Sequence, residues 1–83
     1  MSHERLDALI AAHQEALAAD EQHVLTYDTI LGILSALNKG QVTEGQALRL
    51  LGYQAIRLND DPTNAALYRQ AAAAIRQMQR EEH

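Results

Sequence analysis

Apolar side chains recur along the first half of the chain at alternating steps of three and four residues. This spacing places them on one face of a helix, where they pack against another helix. The segment from His3 to Leu37 has no proline and a single glycine, Gly32, so it lacks the residues that usually turn a chain. The positions of this apolar stripe are Leu6, Ile10, His13, Leu17, Asp20, Val24, Tyr27, Leu31 and Leu34.

The stripe predicts one continuous helix over residues 3–38. This helix is expected to end at Lys39-Gly40, because a cation followed by glycine suits a helix C-terminus. At about 1.5 Å per residue it would be a rod of ~53 Å. The alternative is a break near Asp20, with the Asp20 carboxylate capping a second helix.

Two further helices are predicted in the second half of the chain, over residues 43–59 and 62–80. Thr43 and Gln46 have the spacing of a capping box at the start of the first. Asp61 is expected to cap the second, because Pro62 cannot continue a helix but suits the first position of a new one. The predicted fold is all-α: one long N-terminal helix followed by an antiparallel helical hairpin, packed as a helical bundle in a single domain, 1–83. It has three helices, or four if the first breaks near Asp20.

The stretch from Tyr53 to Tyr68 resembles the junction between tetratricopeptide repeats. There, one helix ends in Leu-x-x-Asp-Pro and the next opens with Asn-Ala-x-x-Tyr, as Leu58 to Pro62 and Asn64 to Tyr68 do here. The resemblance implies a helical hairpin at this point. A solenoid needs about three such repeats, and the chain has one.

Composition favours association with another protein chain. The 83 residues include no Phe, Trp or Cys, and much of the 47% hydrophobic fraction is alanine. A core of this kind gains burial by oligomerising, so we expect a homodimer or a tightly bound protein partner. The net charge of −4 does not favour nucleic-acid backbones. No signal peptide or membrane span is evident, so we expect a cytoplasmic protein with no membrane partner.

The sequence contains few residue patterns that are typical of a catalytic or metal-binding site. Asp20 and His23 form a carboxylate-x-x-His motif, which is half of a di-metal bundle site. Further ligands would have to come from Glu15, Glu21 or Asp28, which makes a metal-binding bundle one alternative. The simpler interpretation is a hydrogen-bonded pair, and we expect no metal and no cofactor. The serines are Ser2, at the expected helix start, and Ser35, which has no histidine within one or two helical turns to activate it, so we do not expect an enzyme.

The stretch from Gly40 to Tyr53 resembles the opening of a bacterial helix-turn-helix. The resemblance implies a recognition helix over residues 55–61 that reads the DNA major groove. Arg57 is the single cation of that segment and lies close to Asp60 and Asp61, a combination that disfavours phosphate binding. A DNA-binding regulator using residues 40–61 is still the first alternative, and the metal-binding bundle using Asp20 and His23 is the second.

The predicted function is a small, non-catalytic protein–protein interaction module, such as an adaptor, regulator or inhibitor of the kind found among bacterial or phage accessory proteins. The two hairpin helices are about 25–28 Å long and cannot cover a rod of ~53 Å. The uncovered apolar strip is then expected to bind a second copy or another protein. The predicted interface residues are Leu6, Leu9, Ile10, His13, Leu17, Asp20, His23, Val24 and Tyr27.

Overall fold

Four α-helices account for most of residues 3–81, the part of the chain that the computed structural model describes, apart from the side chain of His3. Helix α1 spans His3–Ala19, α2 Val24–Asn38, α3 Glu44–Arg57 and α4 Pro62–Glu81. No strand occurs in this part of the chain. The helices pack as two antiparallel pairs, α1 with α2 and α3 with α4, and α2 also contacts α3 and α4. The predicted all-α bundle is confirmed.

The continuous helix predicted over residues 3–38 is wrong, because the chain turns at Asp20. Helix α1 ends at Ala19, and a single turn of 3-10 helix, Glu21–His23, leads into α2. Asp20 has an extended backbone, with φ −124° and ψ 93°, and its carboxylate accepts a hydrogen bond from the Gln22 N–H. An aspartate can turn the chain in this way because its side chain replaces a backbone acceptor. Neither glycine nor proline is needed at this turn, since no residue except Gly40 has a positive φ in the described chain.

Burial of the stripe explains why the turn is favoured. In an antiparallel pair, the apolar face of α1 lies against that of α2 instead of facing water. The described chain therefore measures 35 Å along its longest axis, where a straight helix over residues 3–38 would need ~53 Å.

Helix α2 ends at a glycine, as the sequence predicts. Gly40 has φ +76°, a left-handed conformation that residues with a side chain rarely adopt. Its N–H donates to the Leu37 carbonyl, and the Gln41 N–H donates to the Ala36 carbonyl. These two bonds form a Schellman motif, which satisfies carbonyls at the end of the helix.

The start of each remaining helix carries the predicted cap. The Thr43 hydroxyl accepts from the Gln46 N–H at 3.1 Å, and the Gln46 side chain accepts from the Thr43 N–H at 2.8 Å, which completes the capping box. Asp61 accepts from the Asn64 N–H at 3.3 Å and so caps α4. The two helices thus have fixed starting points, and the four residues between them form the turn of the second hairpin.

All four helices contribute to one core. Its largest fully buried side chains are Leu6 from α1, Ile30 and Leu34 from α2, Leu51 from α3 and Ile75 from α4. Small residues fill the space between α3 and α4, where alanines allow the two backbones to approach closely. They are Ala47, Ala55, Ala71 and Ala72. None of the described helices is long and apolar enough to cross a membrane.

Candidate protein-binding surface

The predicted interface residues lie mostly inside the α1–α2 pair. Leu6 is fully buried in the core, so its assignment to an exposed contact strip is wrong. Seven of the others are half-buried, and Val24 is exposed. The fold explains the difference, because α2 covers the face of α1 that a continuous helix would have left bare. The half-buried residues are Leu9, Ile10, His13, Leu17, Asp20, His23 and Tyr27.

His13 belongs to the packing between α1 and α2. Its Nδ1 lies 2.9 Å from the Leu9 carbonyl oxygen, one turn earlier in the same helix. Its ring meets the Tyr27 ring edge-on, with the two centroids 6.1 Å apart. This geometry is a favourable aromatic contact. The polar interruption of the stripe at His13 is thus satisfied within the chain.

Asp20 and His23 form a hydrogen-bonded pair at the turn between α1 and α2. The His23 Nδ1 lies 2.7 Å from one Asp20 carboxylate oxygen, while the other oxygen accepts from the Gln22 N–H. The hydrogen bond with His23, together with that from Gln22, lowers the pKa of Asp20 below its ordinary value. The pair holds the turn in its bent geometry.

A second polar link joins the two hairpins. Thr26, which is buried at the start of α2, donates through its hydroxyl to the Asn64 side-chain oxygen at 2.6 Å. The Asn64 amide in turn donates to Asp61 at 2.7 Å. This bond, together with that from the Asn64 backbone, lowers the pKa of Asp61. The start of α2 is therefore tied to the start of α4.

The metal-binding alternative finds no complete ligand set. Asp20 and His23 are brought together, but no group of three or more His, Cys, Asp or Glu side chains that could hold a metal ion occurs among the side chains that the structure describes, those of residues 4–81. One carboxylate and one imidazole leave most positions around zinc or iron unfilled.

The helix-turn-helix geometry is also absent from residues 40–61, all of which the structure describes. Helix α3 runs without interruption through Gly52 to Arg57, where the resemblance implied a turn. Residues 58–61 form the connection to α4, so no separate recognition helix exists there.

The large apolar side chains that remain exposed cluster on the outer side of α3. Leu50, Tyr53 and Ile56 follow one another at steps of three, and Tyr53 and Ile56 are 60% and 77% exposed. The buried side of the same helix carries Ala47, Leu51 and Ala55. Scattered exposed apolar residues are ordinary, but three along one helix form a patch of the kind that binds another protein. We call Leu50, Tyr53 and Ile56 the α3 face.

Arginines surround the α3 face. Arg49 and Arg57 are exposed on α3, and Arg69 and Arg76 are exposed on α4. Ile56 and the two α4 arginines line a groove of about 590 Å³ that runs between the two helices. Gly52 leaves this groove open, because a Cβ at that position would meet nothing within 4 Å. The surface therefore combines apolar contact area with positive charge.

A different groove, of about 630 Å³, lies between the start of α2 and the end of α3. Much of its polar lining is already used inside the chain, since His23 binds Asp20 and Thr26 binds Asn64. Leu25, which is 83% exposed, lies at this groove as the large apolar side chain of α2 that is most open to solvent. Val24 is the one other exposed large apolar side chain of α2, so this site has a smaller apolar surface and is a weaker candidate than the α3 face.

The helical periodicity of α3 also predicts the α3 face from the sequence. In a helix that buries Ala47, Leu51 and Ala55, Tyr53 falls about 200° away from Leu51 and must point outward. The interface was predicted on α1 because a continuous rod would be left partly uncovered, and the turn at Asp20 removes that uncovered length.

No known protein family, curated protein or solved structure matches this chain.

Proposed function

We propose that the protein is a non-catalytic protein–protein interaction module that binds through the α3 face. The observation that supports this most directly is the exposure of Tyr53 and Ile56 on a helix whose other side is well buried. Burial of two such side chains is a typical source of binding energy at the centre of an interface. An adaptor, a regulator and an inhibitor are all roles that such contact can serve, and a cytoplasmic location is part of the proposal.

The arginines support the same surface. Arginine is enriched at protein interfaces because its planar group donates several hydrogen bonds in a fixed geometry. Arg49 and Arg57 stand beside Tyr53 and Ile56 on α3, and Arg69 and Arg76 line the adjacent groove. The arrangement is an apolar centre with a polar rim, which is the usual anatomy of a protein interface.

The proposal is tested by substitution of one residue on the face. Ile56→Asp should abolish capture of the partner from an extract of the native host, because it places a charge in the apolar centre of the contact. Leu25→Asp is the matched control, since it places the same charge at a similarly exposed aliphatic residue on another helix. Quantitative mass spectrometry of proteins retained on immobilised wild type and variants measures the outcome.

The proposal predicts proteins that wild type and the Leu25→Asp variant retain and the Ile56→Asp variant loses. Circular dichroism should show the same helicity in all three chains, because both substituted positions are exposed. Retention that is identical for both variants would contradict binding through the α3 face.

A further inference from the structure

The arginines of the second hairpin have no carboxylate partner within the described chain. The ion pairs of residues 3–81 are Arg5 with Glu81 and Asp20 with His23, and neither involves an arginine of α3 or α4. Two copies that met through identical α3 faces would bring these arginines together, which like-charge repulsion opposes. Charge complementarity therefore favours a partner that presents acidic side chains to the α3 face.

The chain itself contains an acidic helix surface that is complementary in charge to the arginines around the α3 face. Residues 3–38 carry six acidic side chains against one arginine, whereas residues 44–81 carry five arginines against four acidic side chains. On α1, the side that faces away from α2 exposes Glu4 and Glu15, with Ala11 and Ala12 between them. Each protomer thus has an acidic face on its first hairpin and a basic, apolar face on its second.

The two faces match in spacing and in shape. Glu4 and Glu15 are eleven residues apart, three turns or about 16 Å along α1, and Arg69 and Arg80 are separated by the same eleven residues on α4. Alanine side chains leave a shallow surface between the two glutamates, and the protruding Tyr53 and Ile56 side chains can pack onto such a surface. Charge lies at the ends of the contact and apolar area at its centre.

Within one protomer the two faces cannot meet. Helix α1 approaches α4 along a groove that Arg5, Ala8 and Leu9 line on α1 and Ala74, Gln77, Met78 and Glu81 line on α4, and neither Glu4 nor Glu15 is part of this lining. Arg69 and Arg76 line a different groove, the one between α4 and α3. The acidic face of α1 is consequently free to reach the arginines of a different molecule.

We propose that the α3 face binds the outer face of α1 from a second copy of the chain, so that protomers associate head to tail. This rests on the proposed function, whose partner it specifies. Because the two surfaces differ, the contact is heterologous, and it closes into a ring or continues into longer assemblies instead of stopping at a symmetric dimer.

The experiment is a charge exchange followed by sedimentation velocity at low salt, across a series of protein concentrations. One variant carries Arg69→Glu and Arg80→Glu, and the other carries Glu4→Arg and Glu15→Arg, the residues whose spacing matches. Wild type should show a sedimentation coefficient that rises with concentration and falls on addition of salt, which screens exposed charges. Each variant alone should associate at least about tenfold more weakly, because its two faces now repel.

An equimolar mixture of the two variants should regain association, since each then meets an oppositely charged face. A chain with all four substitutions should regain it as well. Glu21→Arg with Asp28→Arg is the matched control, because it changes net charge equally on the first hairpin but outside the outer face of α1. This control should associate as wild type does, and circular dichroism should show that every variant is folded.

A wild type that remains monomeric throughout, or a mixture that fails to associate, would overturn the head-to-tail contact. Either result leaves the proposed function standing if capture of a different protein still depends on Ile56. Association that survives both charge exchange and Ile56→Asp would instead show that the chain binds itself through another surface.

Discussion

At the scale of single residues, the polar groups at the two turns are hydrogen-bonded to partners within the chain. His23 pairs with Asp20, and Thr26 pairs with Asn64, whose amide pairs with Asp61. Buried polar atoms without a hydrogen-bond partner do not occur in the described chain. A buried group that loses its partner is costly, so these residues specify how the two hairpins meet.

The Thr26–Asn64 bond gives a prediction at this scale. Thr26→Val keeps the shape of the side chain but removes the hydroxyl that reaches Asn64, and it should lower the free energy of unfolding by about 1 kcal/mol. Thr29→Val is the control, because the Thr29 hydroxyl bonds to the Leu25 carbonyl of its own helix. Its effect should stay within about 0.5 kcal/mol. Urea denaturation measures both, and equal effects would contradict a role for Thr26 in joining the hairpins.

At the scale of elements, a single carboxylate decides where α1 ends. The Asp20 side chain accepts hydrogen bonds from Gln22 and His23, and the bond from the Gln22 backbone N–H is available only when the chain leaves the helical path, because in a continuous helix that N–H donates to a carbonyl four residues earlier. The hydrogen bond with His23 lowers the pKa of Asp20, so the folded state favours the ionised carboxylate more than the unfolded chain does. The turn is therefore stabilised above the ordinary pKa of Asp20, 3.8, and loses this stabilisation as the pH falls below that value.

This linkage predicts a difference in acid sensitivity. As the pH falls below 3.8, the free energy of unfolding should decrease more for wild type than for the Asp20→Asn variant, whose side chain has no proton to take up. Asp28→Asn, an exposed position on α2, is the control and should follow wild type. Thermal melts at a series of pH values measure the slopes. Parallel curves for wild type and Asp20→Asn would show that the ionised carboxylate does not hold the turn.

At the scale of the whole molecule, the fold depends on a few aliphatic side chains. Leu6, Ile30, Leu34, Leu51 and Ile75 are the large side chains that are fully buried, and no Phe or Trp adds to them. For 83 residues, the expected free energy of unfolding is only about 4–12 kcal/mol. The stability lost with one central side chain is then a large fraction of this free energy of unfolding.

Leu34→Ala should therefore destabilise the whole bundle. The substitution leaves a cavity at the centre of α2, where both hairpins contribute to the core, and it should cost about 2–5 kcal/mol. Leu25→Ala is the matched control, because that leucine is exposed, and its cost should be within about 0.5 kcal/mol. Chemical denaturation followed by far-ultraviolet circular dichroism measures the two. A small effect at Leu34 would contradict a shared core.

The sequence by itself determined the local features. The capping box at Thr43 and the cap at Asp61 follow from side chains that lie within three residues of the groups they satisfy. The left-handed Gly40 follows from the lack of a Cβ at that position. The all-α class follows as well, because the period of the apolar positions is a property of each segment alone.

Only the tertiary structure decided how the first half of the chain is arranged. A continuous helix and a turn at Asp20 both satisfy the local pattern, and they differ in whether α2 or a partner covers Leu6, Ile10 and Leu17. Burial of that face within the chain stabilises the fold through contacts between residues far apart in sequence, and the local spacing of apolar residues does not predict such contacts. Because α1 folds back on α2, the exposed apolar surface lies at Tyr53 and Ile56 on α3 and not on α1. The packing of the bundle determines which side of each helix faces solvent.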